Sequence, residues 1–218
     1  GRDEIDKASA RPDFGVLIYP VISFVEIVPA SVSSLPPTCW KCDWFLQTGG
    51  RSGEGGDGAR EAWMERVALE WGSGGLAAVE GSETLAVIQY APLSTLPRAV
   101  TLVPAAPSQS TLLFCLRYRV DGAEGVSRLL LHRALALLRE RGIREAHAYA
   151  IPMGSAPASG NLMGVDFLQA NGFHAVRESG GVTLMRVELK GLVSVLADVA
   201  RAWRVARGLP AMPDPVGG

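Results

Sequence analysis

Three consecutive runs constrain this chain more than any others: STLLFCLRYR (110–119), DGAEGVSRLLLHRALALLRERG (121–142) and REAHAYAI (144–151). The first is almost continuously apolar and reads as a central, buried strand. In the second, apolar residues at 126, 130, 134 and 138, with 131 and 135 alongside, form one helical stripe, and Gly142 is placed to stop the helix. The third alternates, with Ala146, Ala148 and Ala150 on one face and Glu145, His147 and Tyr149 on the other. A strand, a helix and a strand in that order must lie parallel with a right-handed crossover.

The other elements are joined by short turns, which makes them antiparallel neighbours. GLAAVE and TLAVIQY around GSE (75–90) form a hairpin, and HAVRE and VTLMRVEL around SGG form a closing one. Residues 14–19 and 24–28 read as strands broken by Pro20. Trp63, Val67 and Trp71 recur at helical spacing between Ala59 and Trp71, and GSGG ends that helix. NLMGVDFLQANGF (161–173) reads as a late helix closed by Asn-Gly. A last amphipathic helix, 192–207, carries Leu192, Leu196, Val199 and Trp203 on one side, followed by a tail expected to be disordered. The fold class is α/β (α+β), with a mixed, mostly antiparallel sheet and one parallel pair.

Two stretches have the glycines to cradle an anion. GEGGDG (53–58) matches G-x-G-x-x-G by letter, but polar, glycine-rich residues precede it where a dinucleotide site needs a buried strand. It reads as a flexible loop. The second stretch is the turn before the long helix, with Gly122 and Gly125. A helix N-terminus offers unpaired N–H groups and partial positive charge, and glycine lets a phosphate approach the backbone. Residues alone leave phosphate cradle and plain strand-to-helix turn both open.

Charge and cysteine content narrow the remaining classes. The net charge is −1 and no long basic block occurs, so nucleic acid is not an expected partner. The apolar stretch 14–25 is too short to span a bilayer and contains Pro20. Three cysteines, Cys39, Cys42 and Cys115, argue for a reducing compartment over a disulfide framework, and a cytoplasmic location is expected. CWKC is a C-x-x-C, but zinc needs two more ligands and His132, His147 and His174 show no paired spacing, so no metal is expected. Trp40, Trp44 and Phe45 wall a pocket or pack under the sheet.

GAEGVSRLLL and NLMGVDFLQANGF resemble two motifs of the Gcn5-related N-acetyltransferase (GNAT) superfamily. The first is similar to its acyl-CoA loop, [QR]-x-x-G-x-[GA] followed by paired leucines: Gly125 fits, Ser127 replaces the small residue, Gly122 stands where Gln or Arg is usual, and Leu130 and Leu131 supply the pair. The second is similar to its late helix, with Asn161, Gly164, Gly172 and Phe173 at matching offsets. The element order agrees from about residue 25 to 190. CWKCDWF and AWMERVALEWG also look like the early helical region of a GNAT subgroup common in high-GC bacteria. RPDFGVLIYPVISF (11–24) resembles a strand of α/β-hydrolase esterases, but the chain has no G-x-S-x-G nucleophile elbow.

The resemblance implies three segments: an N-terminal extension (1–24), an acetyltransferase domain (25–190) and a C-terminal helix with its tail (191–218). It implies a splayed central parallel strand pair with acetyl-CoA as cosubstrate between the strands and an amine as acceptor. Leu116, Arg117 and Tyr118 would meet the pantetheine arm through backbone groups, amides of Gly122, Ala123, Glu124, Gly125, Val126 and Ser127 would hold the pyrophosphate, and Asn161 would bond the arm. The family's usual acid, a tyrosine on the late helix, is Leu168 here, and the region of its alternative Glu holds Ser110 and Thr111. Tyr149 and His147 are the substitute acid and base candidates, and Trp40, Trp44 and Tyr90 the acceptor-side candidates. The missing acid and base also motivate an alternative, a GNAT-fold protein that binds acyl-CoA or a partner without catalysis. The surplus helix 192–207 packs on its own chain or on a second copy, leaving monomer and homodimer open.

Overall fold

A computed structural model of the chain describes residues 25–40, 42–48, 58–118, 124–152 and 162–189. Segments 1–24, 153–161 and 191–218, and with them the extension, the late-motif Asn161 and the helix expected at 192–207, lie outside the described residues.

The strands are β1 (Glu26–Pro29), β2 (Gly75–Glu80), β3 (Glu83–Pro92), β4 (Thr111–Tyr118), β5 (Glu145–Ile151), β6 (Met163–Gly164), β7 (His174–Ser179) and β8 (Val182–Glu188). They form one sheet in the order β1-β2-β3-β4-β5-β8-β7, with β6 attached to β5. Only β4–β5 and β5–β6 are parallel. The helices are α1 (Pro37–Trp40), α2 (Ala59–Glu70), α3 (Pro97–Thr101), α4 (Glu124–Glu140) and α5 (Val165–Ala170).

The crossover helix α4 covers one face. Its stripe of Leu130, Leu131, Ala134, Leu135 and Leu138 is buried against Ile88, Leu113, Met185 and the alanines of β5. Alanine at 146, 148 and 150 leaves room for the leucines to come close, and each buried leucine contributes about 1.5–3 kcal/mol. The other face carries Phe45 from a turn, Trp63 and Val67 from α2, Leu96 from just before α3, Phe114 from β4 and Tyr149 from β5. Trp63 and Val67 face inward as their spacing predicts, and the Trp63 indole donates to the Thr95 carbonyl at 2.9 Å.

Both major helix stops are Schellman caps. Gly142 takes φ +79, with Gly142 N–H bonded to Arg139 O and Ile143 N–H to Leu138 O. Gly172 takes φ +87 and repeats the pattern, with Phe173 N–H bonded to Leu168 O. Leu168 and Phe173, both buried, supply the apolar contact such a cap favours.

Two segments differ from the sequence expectation. The late helix covers only Val165–Ala170, because Gly164 is extended (φ −74, ψ 139) and Met163–Gly164 pair with β5 instead. The proline-punctuated stretch before β4 holds a 3-10 turn at Leu93–Thr95 and helix α3, which opens with Pro97 at its first turn.

Candidate functional site

β4 and β5 part company early. Their pairs are Thr111 with Ala146, Leu112 with His147 and Leu113 with Ala148, yet β4 runs on to Tyr118 and β5 to Ile151. β8 holds one edge of β5 through Ala150, so Met163 and Gly164 pair with Ala150 and Ile151 on the edge that β4 has left. The separation has a local cause. Val87 pairs with Arg117 and Gln89 with Phe114, so the single residue Ile88 stands opposite both Cys115 and Leu116. That two-against-one count is a β-bulge, which bends its strand. Cys115 sits in it at φ +51, a left-handed conformation that a side chain other than glycine's rarely adopts.

The wedge opens into a cleft of about 840 Å³. Leu116 and Arg117 line it from β4, Gly125, Ser127 and Arg128 from the first turns of α4, and Leu162, Met163, Gly164, Asp166, Phe167 and Ala170 from β6 and α5. A Cβ built on Gly125 or on Gly164 meets nothing within 4 Å, so both glycines face open space. The α4 N-terminus brings its unpaired amides, and Arg117 and Arg128 bring positive charge. Backbone groups of β4 beyond Leu113 are not spent on β5. An elongated ligand with an anionic end fits such a cleft: N–H groups for the anion, strand edge for the polar arm.

Of the residues named from sequence, Leu116, Arg117, Gly125 and Ser127 line the cleft. Val126 is buried in the core under the helix and anchors the turn from behind. Glu124 opens α4 and Tyr118 ends β4. Gly122, Ala123 and Asn161 lie outside the described residues. Arg128, Gly164, Asp166 and Phe167 line the cleft as well, and sequence reasoning misses them as site residues. Arg128 stands three residues after Gly125, on the same helix face, and that spacing is the signal that finds it.

The acid, base and acceptor candidates lie elsewhere. Tyr149 is buried on the face opposite α4; its hydroxyl donates to Ala99 O at 3.3 Å and accepts from Ala106 N–H at 3.2 Å. Burial raises its pKa, opposed by the Ala106 bond. His147, buried between Leu112 and Arg186 in the sheet, has an Nδ1 without a partner. Burial lowers its pKa, against an upward pull from Glu145, so the imidazole is neutral at neutral pH. Tyr90 packs on the α4 side, its ring 6.1 Å from that of Trp71 and 5.7 Å from the guanidinium of Arg141. Arg141 follows the C-terminus of α4, so Tyr90 stands at the end of that helix remote from the cleft. Trp40 is half exposed and donates from its indole to Leu35 O at 2.7 Å. Trp44 stacks edge-on to Phe45 at 4.6 Å, with the Arg98 guanidinium 5.0 Å from its ring. Cys39, Cys42 and Cys115 form no disulfide; among the described residues no group of three His, Cys, Asp or Glu is placed to hold a metal, and no helix is long and apolar enough to cross a membrane.

No protein-family model matches the chain, and no curated protein matches it in sequence. Solved structures match it in fold. YncA from Salmonella typhimurium, solved with its cofactor acetyl-CoA, is 14% identical with a TM-score of 0.51, over 76% of this chain and 94% of that one. The PaiA N-acetyltransferase of Thermoplasma acidophilum, in complex with coenzyme A, is 16% identical at a TM-score of 0.47, over 75% and 98%. A GNAT-family protein from Desulfovibrio desulfuricans is 17% identical at 0.46, over 76% and 99%. The similarity to the Salmonella structure agrees with the element order and the single parallel crossover. The chain therefore has the fold of the Gcn5-related N-acetyltransferases.

Proposed function

We propose that this protein is an acetyl-CoA-dependent N-acetyltransferase that passes an acyl group from CoA to an amine by direct attack. The observation that carries the reading is the wedge between β4 and β5, opening into a cleft at the first turn of a 17-residue helix. Its volume, its unspent strand edge and the open space at Gly125 suit a pantetheine arm ending in phosphates. In this reading Leu116, Arg117 and Tyr118 bond the arm through the backbone. Amides from Gly122, Ala123, Glu124, Gly125, Val126 and Ser127 hold the pyrophosphate, with Arg117 and Arg128 adding charge, and Asn161 completes the arm's contacts.

The chemistry needs a neutral amine, a place for its proton and a proton for the departing sulfur. His147, the sequence's base candidate, has a neutral imidazole and an uncommitted Nδ1, but it is buried in the sheet and does not line the cleft, so no residue is assigned the base. The amine nitrogen bonds to the acyl carbon, the carbon–sulfur bond breaks, and the proton taken from nitrogen passes to the thiolate. Tyr149, the sequence's acid candidate, already spends its hydroxyl proton on Ala99. Calorimetry with acetyl-CoA tests the reading first: micromolar binding is expected, and no binding at millimolar ligand would sink it. Thiol release above background with an amine panel then separates transferase from non-catalytic binder.

A further inference from the structure

Four buried polar side-chain atoms crowd the β4 bulge without a partner: Nε and Nη1 of Arg60, and Nε2 and Oε1 of Gln89. Arg60 is the second residue of α2 and only 3% exposed. Its Nη2 lies 3.9 Å from Cys115 Sγ, and its guanidinium carbon 5.9 Å from the Trp63 ring centroid. Gln89, fully buried, pairs in the sheet with Phe114, the residue before Cys115. Ile88 and Tyr90 flank it in β3 and point to the α4 face, so Gln89 points to the face where Arg60 lies.

A guanidinium is always charged, and one this buried requires an anion. Cys115 does not supply it. Burial pushes its thiol up to about 11, against the downward pull of Arg60, so the sulfur is protonated at neutral pH. Among the described residues no carboxylate forms an ion pair with Arg60. The location matters as much as the charge. Leu116 and Arg117, next along the strand from Cys115, line the cleft. Arg60 thus reaches, from the opposite face of the sheet, the apex where β4 leaves β5.

We propose that the acceptor is an amine that carries a carboxylate, and that Arg60 and Gln89 receive that carboxylate at the apex. This rests on the acyltransfer reading above. The Nε–H and the Nη1 hydrogens lie on different edges of the guanidinium, so each offers a carboxylate oxygen a separate charge-assisted donor, and the Gln89 amide adds a third. Anchored there, an amino-acid-like acceptor directs its nitrogen past the bulge toward the thioester. The transfer balances as an amine plus a thioester giving an amide plus a thiol. Arg60 and Gln89 take no proton; they select and orient.

The test uses the full chain with CoA present, a set of N-acetyl amino acids and the matching N-acetyl amino amides. Nitrogen-15 spectra follow the Arg60 Nε–H signal, assigned by through-bond correlation. At least one carboxylate ligand is expected to shift it in a saturable way while its amide does not. In calorimetry Arg60→Lys is expected to weaken that carboxylate at least tenfold and leave CoA affinity within twofold. Equal shifts by acid and amide, or no shift by any ligand, overturn the proposal. The spectra use the unmutated chain, so they decide the matter even where Arg60→Lys fails to fold. Failure of the acyltransfer reading is separately visible as loss of CoA binding in the same sample.

Discussion

His132 Nε2 on α4 stands 2.9 Å from Oδ1 of Asn171, the residue that closes α5. The Asn171 amide donates to Phe167 O at 2.7 Å, so Oδ1 is the accepting atom and His132 carries its proton on Nε2. One buried side chain thus caps the helix that forms one wall of the cleft and ties it to the helix that forms the other. Asn171→Leu leaves the Phe167 carbonyl and His132 without these partners and is expected to cost about 1–3 kcal/mol. CoA affinity should fall severalfold with it. Urea unfolding and calorimetry check the two effects; a destabilised variant with unchanged affinity would show that the tie does not shape the cleft.

Gly125→Trp isolates the cleft from the fold. A Cβ at this position meets nothing within 4 Å, so the helix tolerates a side chain, and the indole then occupies the cleft. CoA affinity is expected to fall at least tenfold, about 1.4 kcal/mol, with the melting temperature nearly unchanged. Calorimetry showing wild-type affinity would mean that the phosphates sit elsewhere.

The fold was legible where sequence periodicity and tertiary demand coincide. Leu130, Leu131, Leu135 and Leu138 recur at helical spacing and all are buried. The Gly142 and Gly172 stops are both left-handed caps, as their place after apolar runs implies. The wedge was expected through family resemblance alone, because its cause is silent in sequence. Nothing in STLLFCLRYR marks Cys115 for positive φ. The bulge also puts Phe114 and Cys115 on the same face, breaking the alternation that strand reading relies on. Arg60 was invisible for a related reason. A charged residue in the first turn of a helix reads as solvated, and only the tertiary packing buries it.

His147 gives the protein an acid-sensitive stability. Burial lowers its folded pKa below the ordinary 6.5, so between those two values the unfolded chain binds more protons. The stability it contributes is complete above about pH 6.5 and is lost as pH falls toward the folded value, by at most about 1.4 kcal/mol per pH unit. His147→Leu should flatten the pH dependence in that window in urea unfolding. If His147 is the base, the acid limb of kcat/KM should also lie below 6.5 and vanish in this variant.

Tyr149→Phe separates packing from proton transfer. Removing the hydroxyl leaves Ala106 N–H and Ala99 O without their bond, at an expected cost of about 1–3 kcal/mol. Because that hydroxyl proton is already committed, kcat is expected to stay within about threefold. A fall of a hundredfold or more in kcat, with KM unchanged, would instead make Tyr149 the acid that protonates the thiolate.

Cys115 should respond to backbone conformation more than to side-chain chemistry. At φ +51 a β-branched residue is strained, so Cys115→Val is expected to lose about 1–3 kcal/mol even though valine suits strands elsewhere. Cys115→Gly relieves the left-handed strain and gives up the packing beside Arg60, and the two effects oppose each other. It should therefore be clearly more stable than Cys115→Val. Urea midpoints rank the two variants. Valine equal to or better than glycine would mean that the strand takes no left-handed residue here, and the bulge that opens the wedge would have to be sought at another position.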